Sequence, residues 1–356
     1  MAITYHAGRR IQGTSTDFGT AGAGIPAVAG GWKELGRTTL GSAGDIIDIA
    51  SLPNKRYYMV LENILGDSGE VSPEITFNGD TGTNYPIRRS NNGGTDWTST
   101  TYNYMYNAYG GTISDRFIVG YIANQSDKEK LYQHHQCINV NRSNAGTEPD
   151  RNELAAKWVN TSSSIDQITV TNSGGGSFDT GAEVVVLGFD PADTHSTNFW
   201  EELADISLTS TNTSLDSGTF TAKKYLWVQM YQKGMTGNNT LYNFNSDTGS
   251  NYARRWRIDG GTEWTTGSTT GLMCHNAVGT QTDNFFNMFI VNNSANEKLV
   301  ISSSVYTIST GAGSPPSREE HVGKWDNTSS QITSIQFDHG GSNFGIGSSI
   351  KVWGSD

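Results

Sequence analysis

The chain has 356 residues, of which 42 are Gly, 35% are hydrophobic and 17% are charged, and its formal net charge is −11. That acidity repels a phosphate backbone, which argues against direct nucleic-acid binding. No stretch approaches the ~20 apolar residues of a membrane span, so no membrane insertion is expected.

Residues 1–30 come first and read as an extended arm, because Thr20-Ala21-Gly22-Ala23-Gly24-Ile25-Pro26 can bury little surface by itself. The opening Met1-Ala2-Ile3-Thr4-Tyr5-His6 lacks the apolar heart of a secretion signal, so synthesis in the cytoplasm is expected. Strands follow. Residues 57–61 and 116–122 read as buried strands, residues 165–170 alternate at period two, and residues 183–187 close the unit after the turn Ser173-Gly174-Gly175-Gly176. A short polar linker is expected over residues 191–198. The same order then returns with strands over residues 225–231, 285–291, 332–337 and 349–353. Gly, Asn and Asp supply tight turns, while Thr, Tyr, Trp and Phe suit pleated surfaces. The expected fold class is all-β: two tandem antiparallel β-sandwiches, jelly-roll-like, over residues 31–190 and 199–356.

The return is a duplication. Phe77-Asn78-Gly79-Asp80-Thr81-Gly82-Thr83-Asn84-Tyr85 recurs 167 residues later as Phe244-Asn245-Ser246-Asp247-Thr248-Gly249-Ser250-Asn251-Tyr252. Gly93-Gly94-Thr95-Asp96-Trp97 recurs as Gly260-Gly261-Thr262-Glu263-Trp264, and Lys157-Trp158 as Lys324-Trp325. Trp32-Lys33-Glu34-Leu35 is matched by Trp200-Glu201-Glu202-Leu203. An almost constant offset means that one complete fold was copied, unlike a solenoid built from short units.

Candidate sites are few. Asp80 and Asp247 sit in the repeated turn. Their side chains serve either the local backbone or a weak calcium site, although the 12-residue calcium loop with its terminal Glu is missing. Trp97 beside Asp96, and Trp264 beside Glu263, read either as packing residues or as sugar-stacking platforms with a carboxylate at the side. Trp158 and Trp325 read as core residues at the start of a strand. Arg88, Arg89, Arg254 and Arg255, with Arg9 and Arg10 in the arm, are candidates for assembly contacts with acidic neighbours. His134 and His135 point to opposite faces of a strand, cannot share one metal ion, and read as polar surface residues. Cys137 and Cys274 occupy unmatched positions in the two copies and read as free buried thiols. No Ser-His-Asp set, phosphate-binding loop or zinc-helix motif is present, so no catalytic residue and no cofactor is expected.

On these residues the chain resembles a family. The motif over residues 77–85, followed by Arg88 and Arg89, is similar to one in structural and tail-associated proteins of tailed bacterial and archaeal viruses. The ending Gly345-Ile346-Gly347-Ser348-Ser349-Ile350-Lys351-Val352-Trp353-Gly354 resembles their closing pattern. The opening Ile3-Thr4-Tyr5-His6-Ala7-Gly8-Arg9-Arg10-Ile11-Gln12-Gly13 looks like that of related marine viral proteins. The resemblance implies β-sandwich domains in a homo-oligomer, among other virion proteins on a particle assembled in the host cytoplasm. It brings no catalytic residues with it. Three functions follow as expectations: a non-enzymatic virion surface component (tail fibre, receptor-binding protein or capsid decoration, with a host-surface glycan as a possible partner), a shell-forming capsid protein with two jelly rolls side by side, and a free carbohydrate-binding module.

Overall fold

The computed structural model describes residues 31–67, 69–106, 115–190, 193, 198–234, 239–275, 283–307, 309 and 311–356. The expected arm, with Arg9 and Arg10, and most of the expected linker lie outside the described residues.

The first repeat contains β1 (Lys33–Thr39), β2 (Ile46–Ile49), β3 (Tyr57–Ile64), β4 (Pro73–Phe77), β5 (Ile87–Asn91), β6 (Trp97–Ser99), β7 (Met105–Tyr106), β8 (Asp115–Ala123), β9 (Lys130–Asn139), β10 (Asp150–Trp158), β11 (Ile168–Asn172) and β12 (Glu183–Phe189). The second contains β13 (Glu201–Ser207), β14 (Ser214–Asp216), β15 (Tyr225–Gln232), β16 (Thr240–Phe244), β17 (Tyr252–Ile258), β18 (Glu263–Thr269), β19 (Leu272–His275), β20 (Asn284–Val291), β21 (Lys298–Tyr306), β22 (Ser317–Trp325), β23 (Ile335–His339) and β24 (Ser349–Ser355). The described residues form no helix, and so none long and apolar enough to cross a membrane.

Each repeat is an antiparallel sandwich. In the first, an eight-stranded sheet in the order β1-β12-β3-β8-β9-β10-β5-β6 faces a four-stranded sheet in the order β2-β11-β4-β7. The second repeats this arrangement, strand for strand, as β13-β24-β15-β20-β21-β22-β17-β18 over β14-β23-β16-β19. The chain passes repeatedly between layers, which places sequence-distant strands such as β3 and β12 side by side. Between the sheets of the first repeat lie Val60, Ile75, Phe77, Trp158, Ile168 and Val184. Val228, Phe244, Met288, Trp325, Phe337 and Ile350 fill the second.

Two local expectations need correction. Trp158 and Trp325 belong to the core, yet they end β10 and β22 instead of starting them. Strand pairing near residues 165–170 begins only at Ile168. The backbone N–H of Ile165 is taken by the side chain of Asn124 at 2.8 Å, and that of Ile332 by Asn292 at 2.7 Å. A donor spent on a side chain is lost to the sheet ladder.

A third core lies between the repeats. Met59, Leu61, Phe117, Cys137 and Val185 of the first large sheet pack against Tyr225, Phe289, Leu299, Ile301 and Val322 of the second, with Phe199 and Trp200 at the margin. The outer faces of the two large sheets are thus pressed together. The layers run small sheet, large sheet, large sheet, small sheet.

Candidate functional site

The repeated motif builds a turn and a clamp. Asn78 and Gly79 both have positive φ (52° and 65°), and Asp80 N–H donates to Phe77 C=O at 2.9 Å, as a type I′ turn requires, although the turn leads from the small sheet (β4) to the large one (β5) and does not close a hairpin. In the second copy Asn245 and Ser246 hold the same conformation at 53° and 56°, so the Gly-to-Ser change is accommodated without a change of turn. The Asp80 carboxylate accepts from Gly82 N–H at 2.8 Å, from the Asn84 amide at 2.9 Å, and from Trp158 Nε1–H at 2.7 Å. Asp247 accepts the equivalent three from Gly249, Asn251 and Trp325 at 2.9, 2.9 and 2.7 Å. Burial alone would raise the Asp80 carboxyl, but the donors Trp158, Gly82 and Asn84 hold it below the usual carboxylate range. Of the two readings of these residues, the geometry matches service to local donors. Among the described residues no group of three or more His, Cys, Asp or Glu is placed to hold a metal ion.

The tryptophans and their neighbouring carboxylates do not form joint sites. Trp97 and Trp264 are 42% and 52% exposed, so neither is a core residue. Adjacent residues on a strand point to opposite faces. Asp96 accordingly pairs with Arg88 at 3.0 Å, while Trp97 lies under Arg89, whose guanidinium carbon is 4.7 Å from the indole centroid. The same guanidinium lies 4.6 Å from the centre of Tyr106. Trp264 stacks on Trp256, with ring centroids 6.4 Å apart and an interplanar angle of 19°. Glu263 turns the other way and takes two hydrogen bonds from Arg151 of the first repeat, at 3.2 and 3.0 Å.

That Arg151 is the centre of a polar seam along the rim of the third core. It also contacts Glu153 at 2.7 Å and Glu320 at 3.7 Å. Arg255 reaches across the repeats to Pro149 C=O at 2.8 Å and Asp150 at 3.1 Å, so one arginine expected to bind an acidic neighbour does so inside its own chain. Arg254 donates to Gly271 C=O at 3.2 Å and lies over Trp256. Burial pushes the Glu153 carboxyl up to about 7, against the pull of Arg151 and with the push of Glu320 and Glu263. On the other side of the interface, Glu183 accepts from Tyr225 Oη–H at 2.8 Å and pairs with Lys224 at 3.0 Å.

The histidine expectation holds for orientation and for the exposure of His135, and fails for the burial of His134. His134 is buried, with Asn152 at 2.8 Å and the Tyr132 hydroxyl at 3.2 Å, and burial depresses its imidazole to about 4. His135 faces the opposite way. Both cysteines are free and buried as expected, and burial pushes the Cys137 thiol up to about 12.

An aromatic groove has no counterpart among the site residues expected from the sequence. Beyond the third core, the outer face of the first large sheet opens into this groove of about 580 Å³, lined by Trp32, Tyr57, Tyr121, Leu131, Ala155 and Phe189. Its signal was present in the strand over residues 57–61, Tyr-Tyr-Met-Val-Leu, which is apolar on both faces. Such a strand needs a cover on each side.

No family model matches the chain, and no curated protein matches it. Among solved structures it is similar to mouse laminin alpha1 chain domains LG4-5, at 9% identity over 93% of this chain and 92% of that one, with a TM-score of 0.16. It is also similar to the LG1-3 region of the laminin alpha2 chain, at 6% identity over 86% and 66%, with a TM-score of 0.17. Likeness of this degree carries no information about the function of the chain.

Proposed function

We propose that the chain is a non-enzymatic structural protein of a virus particle, carried on the particle surface as a tail fibre, receptor-binding part or capsid decoration, in a homo-oligomer. The observation that carries the structural role is the third core, which makes one four-layered block of two sandwiches. What the duplication kept supports the same reading. The two turn clamps, with their Asp-to-Trp hydrogen bonds, are reproduced bond for bond. The groups most apt for chemistry, His134, Cys137 and Cys274, are instead unrepeated and buried, with the thiols pushed away from the nucleophilic thiolate. The sandwiches are stacked through their broad faces, and this favours a surface part over a shell of jelly rolls side by side. The viral origin rests on the resemblance of residues 77–85 and 345–354. Immunogold electron microscopy of purified particles tests the proposal. Label at a defined surface feature is expected, and particles free of the protein would overturn it.

A second reading has its own observation. The exposed Trp264, stacked on Trp256, presents a flat apolar face of the kind that takes a sugar ring. Glycan-array binding that falls at least about tenfold in Trp264→Ala would establish it. Binding equal to the wild type, or none in either protein, returns the pair to packing alone.

A further inference from the structure

The core between the repeats joins unlike ends of like surfaces. The strand registers place Tyr57 with Tyr225, Phe117 with Phe285, Leu131 with Leu299, and Cys137 with Val305. The outer face of each large sheet therefore has two ends. One end, the head, carries Tyr57, Tyr121 and Leu131 in the first repeat and Tyr225, Phe289 and Leu299 in the second. The other, the tail, carries Phe117 and Cys137 in the first and Phe285 and Val305 in the second.

Burial along the strands shows which ends meet. In β9 the alternation of buried and exposed residues runs through His135, and both faces are buried from Gln136 to Asn139. In β21 the order is reversed: both faces are buried from Lys298 to Ser302, and alternation begins at Ser303. β8 and β20 show the same reversal. The tail of the first repeat is packed on the head of the second. Tyr225 stacks on Phe117 at 6.3 Å, Cys137 Sγ–H approaches Gly323 C=O at 3.5 Å, and Lys324 Nζ donates to Asn139 at 3.0 Å.

The contact is heterologous, so it uses one head and one tail and leaves the other head and tail open. The open head is the aromatic groove of the first repeat. Its Trp32 occupies the place of Trp200, which is buried in the third core. The open tail is an apolar rim on the second repeat. Phe285 and Val305 are 43% and 42% exposed, while their counterparts Phe117 and Cys137 are 1% and 0% exposed. A surface that is built for a partner in one copy, and stays apolar and uncovered in the other, marks an interaction site.

We propose that a second copy of this chain docks there, the groove of one chain receiving the Phe285–Val305 rim of the next, in the manner of the contact already made between the repeats. A heterologous contact of this kind closes into a ring or runs on as a fibre. The open tail has Gln229 and Asn287 where the buried one has Leu61 and Val119, so the contact between chains is more polar at its centre and weaker than the one within the chain. The inference takes from the virion reading only that copies associate. It stands or falls separately from the location of the protein on a particle.

The test uses the full chain and two charge insertions at exposed positions, Leu131→Glu in the head and Val305→Glu in the tail. Sedimentation velocity over a wide concentration range should show the wild type growing from monomer to dimer and longer species. Each variant alone should stay monomeric, with the circular dichroism and melting midpoint of the wild type. An equimolar mixture should form a dimer that grows no further, because its one intact head and one intact tail are used in the contact and only the altered ends remain open. A wild type that remains monomeric, as it would if residues 1–30 filled the groove themselves, overturns the proposal. So does a mixture that stays monomeric, or a variant that assembles like the wild type.

Discussion

Asp80 takes the indole N–H of Trp158, the amide of Asn84 and the backbone N–H of Gly82, and Asp247 does the same for its own turn. Removing such an acceptor strands a buried indole donor, which costs roughly 1–3 kcal/mol. Asp80→Ala and Asp247→Ala should each lower stability by about that amount in denaturant unfolding. A loss below about 0.5 kcal/mol would show that the clamp is incidental. Calcium should leave the wild-type midpoint unchanged, since the carboxylate is already occupied by three donors. A calcium-dependent rise that disappears in Asp80→Ala would assign the residue to a metal instead. Tyr85 adds to the clamp, with its hydroxyl accepting from Phe77 N–H at 3.1 Å and donating to Asp80 C=O at 3.0 Å.

β10 carries both ends of the problem of joining two sandwiches. One of its faces supplies Leu154 and Trp158 to the first core, and the other supplies Arg151 and Glu153 to the seam. The Glu153 side chain is a quarter exposed and is held near Arg151 together with Glu263 and Glu320. Its folded pKa of about 7 lies above the ordinary glutamate value of 4.5. Between those two values the folded chain keeps a proton that the unfolded chain has released, so this group's contribution to stability is full below about 4.5 and is lost as pH rises to about 7. Glu153→Gln has no such proton. The stability of the variant relative to the wild type should therefore increase from pH 4.5 to 7 and level off above it, as read from denaturation midpoints at each pH. A difference independent of pH would show that folding does not raise the Glu153 pKa.

The third core makes the molecule more than two domains on a string. Val185 of β12 is fully buried in it and, on its strand, faces away from the core of its own sandwich. Val185→Asp places a charge between the large sheets, at a cost of several kcal/mol to their contact, while leaving each sandwich core intact. Calorimetry should show one unfolding transition for the wild type and two for the variant. Two transitions in the wild type would mean that the repeats are thermodynamically independent. The same stacking explains why the apolar head and tail left open at the far ends belong to the whole molecule rather than to either repeat.

The sequence by itself determined the duplication, the all-β class and the turn chemistry. The class and the turns depend on residues close together in the chain, namely the φ preferences of Asn78-Gly79 and the alternation of side chains along a strand, and the duplication is read by matching the chain with itself, as Trp158 with Trp325. Only the tertiary structure decided what covers each face. The separation of Trp264 from Glu263 followed from strand alternation, but the reach of Arg151 to Glu263 spans 112 residues and two domains. His134 read as a surface residue because its polarity was visible and its acceptor Asn152 was not. The strand over residues 57–61 announced two apolar faces without naming their partners. Its Val60 face meets the small sheet of its own repeat, and its Leu61 face meets the second repeat. Periodicity records that a face is buried. Only the packing of strands far apart in the chain determines what it is buried against.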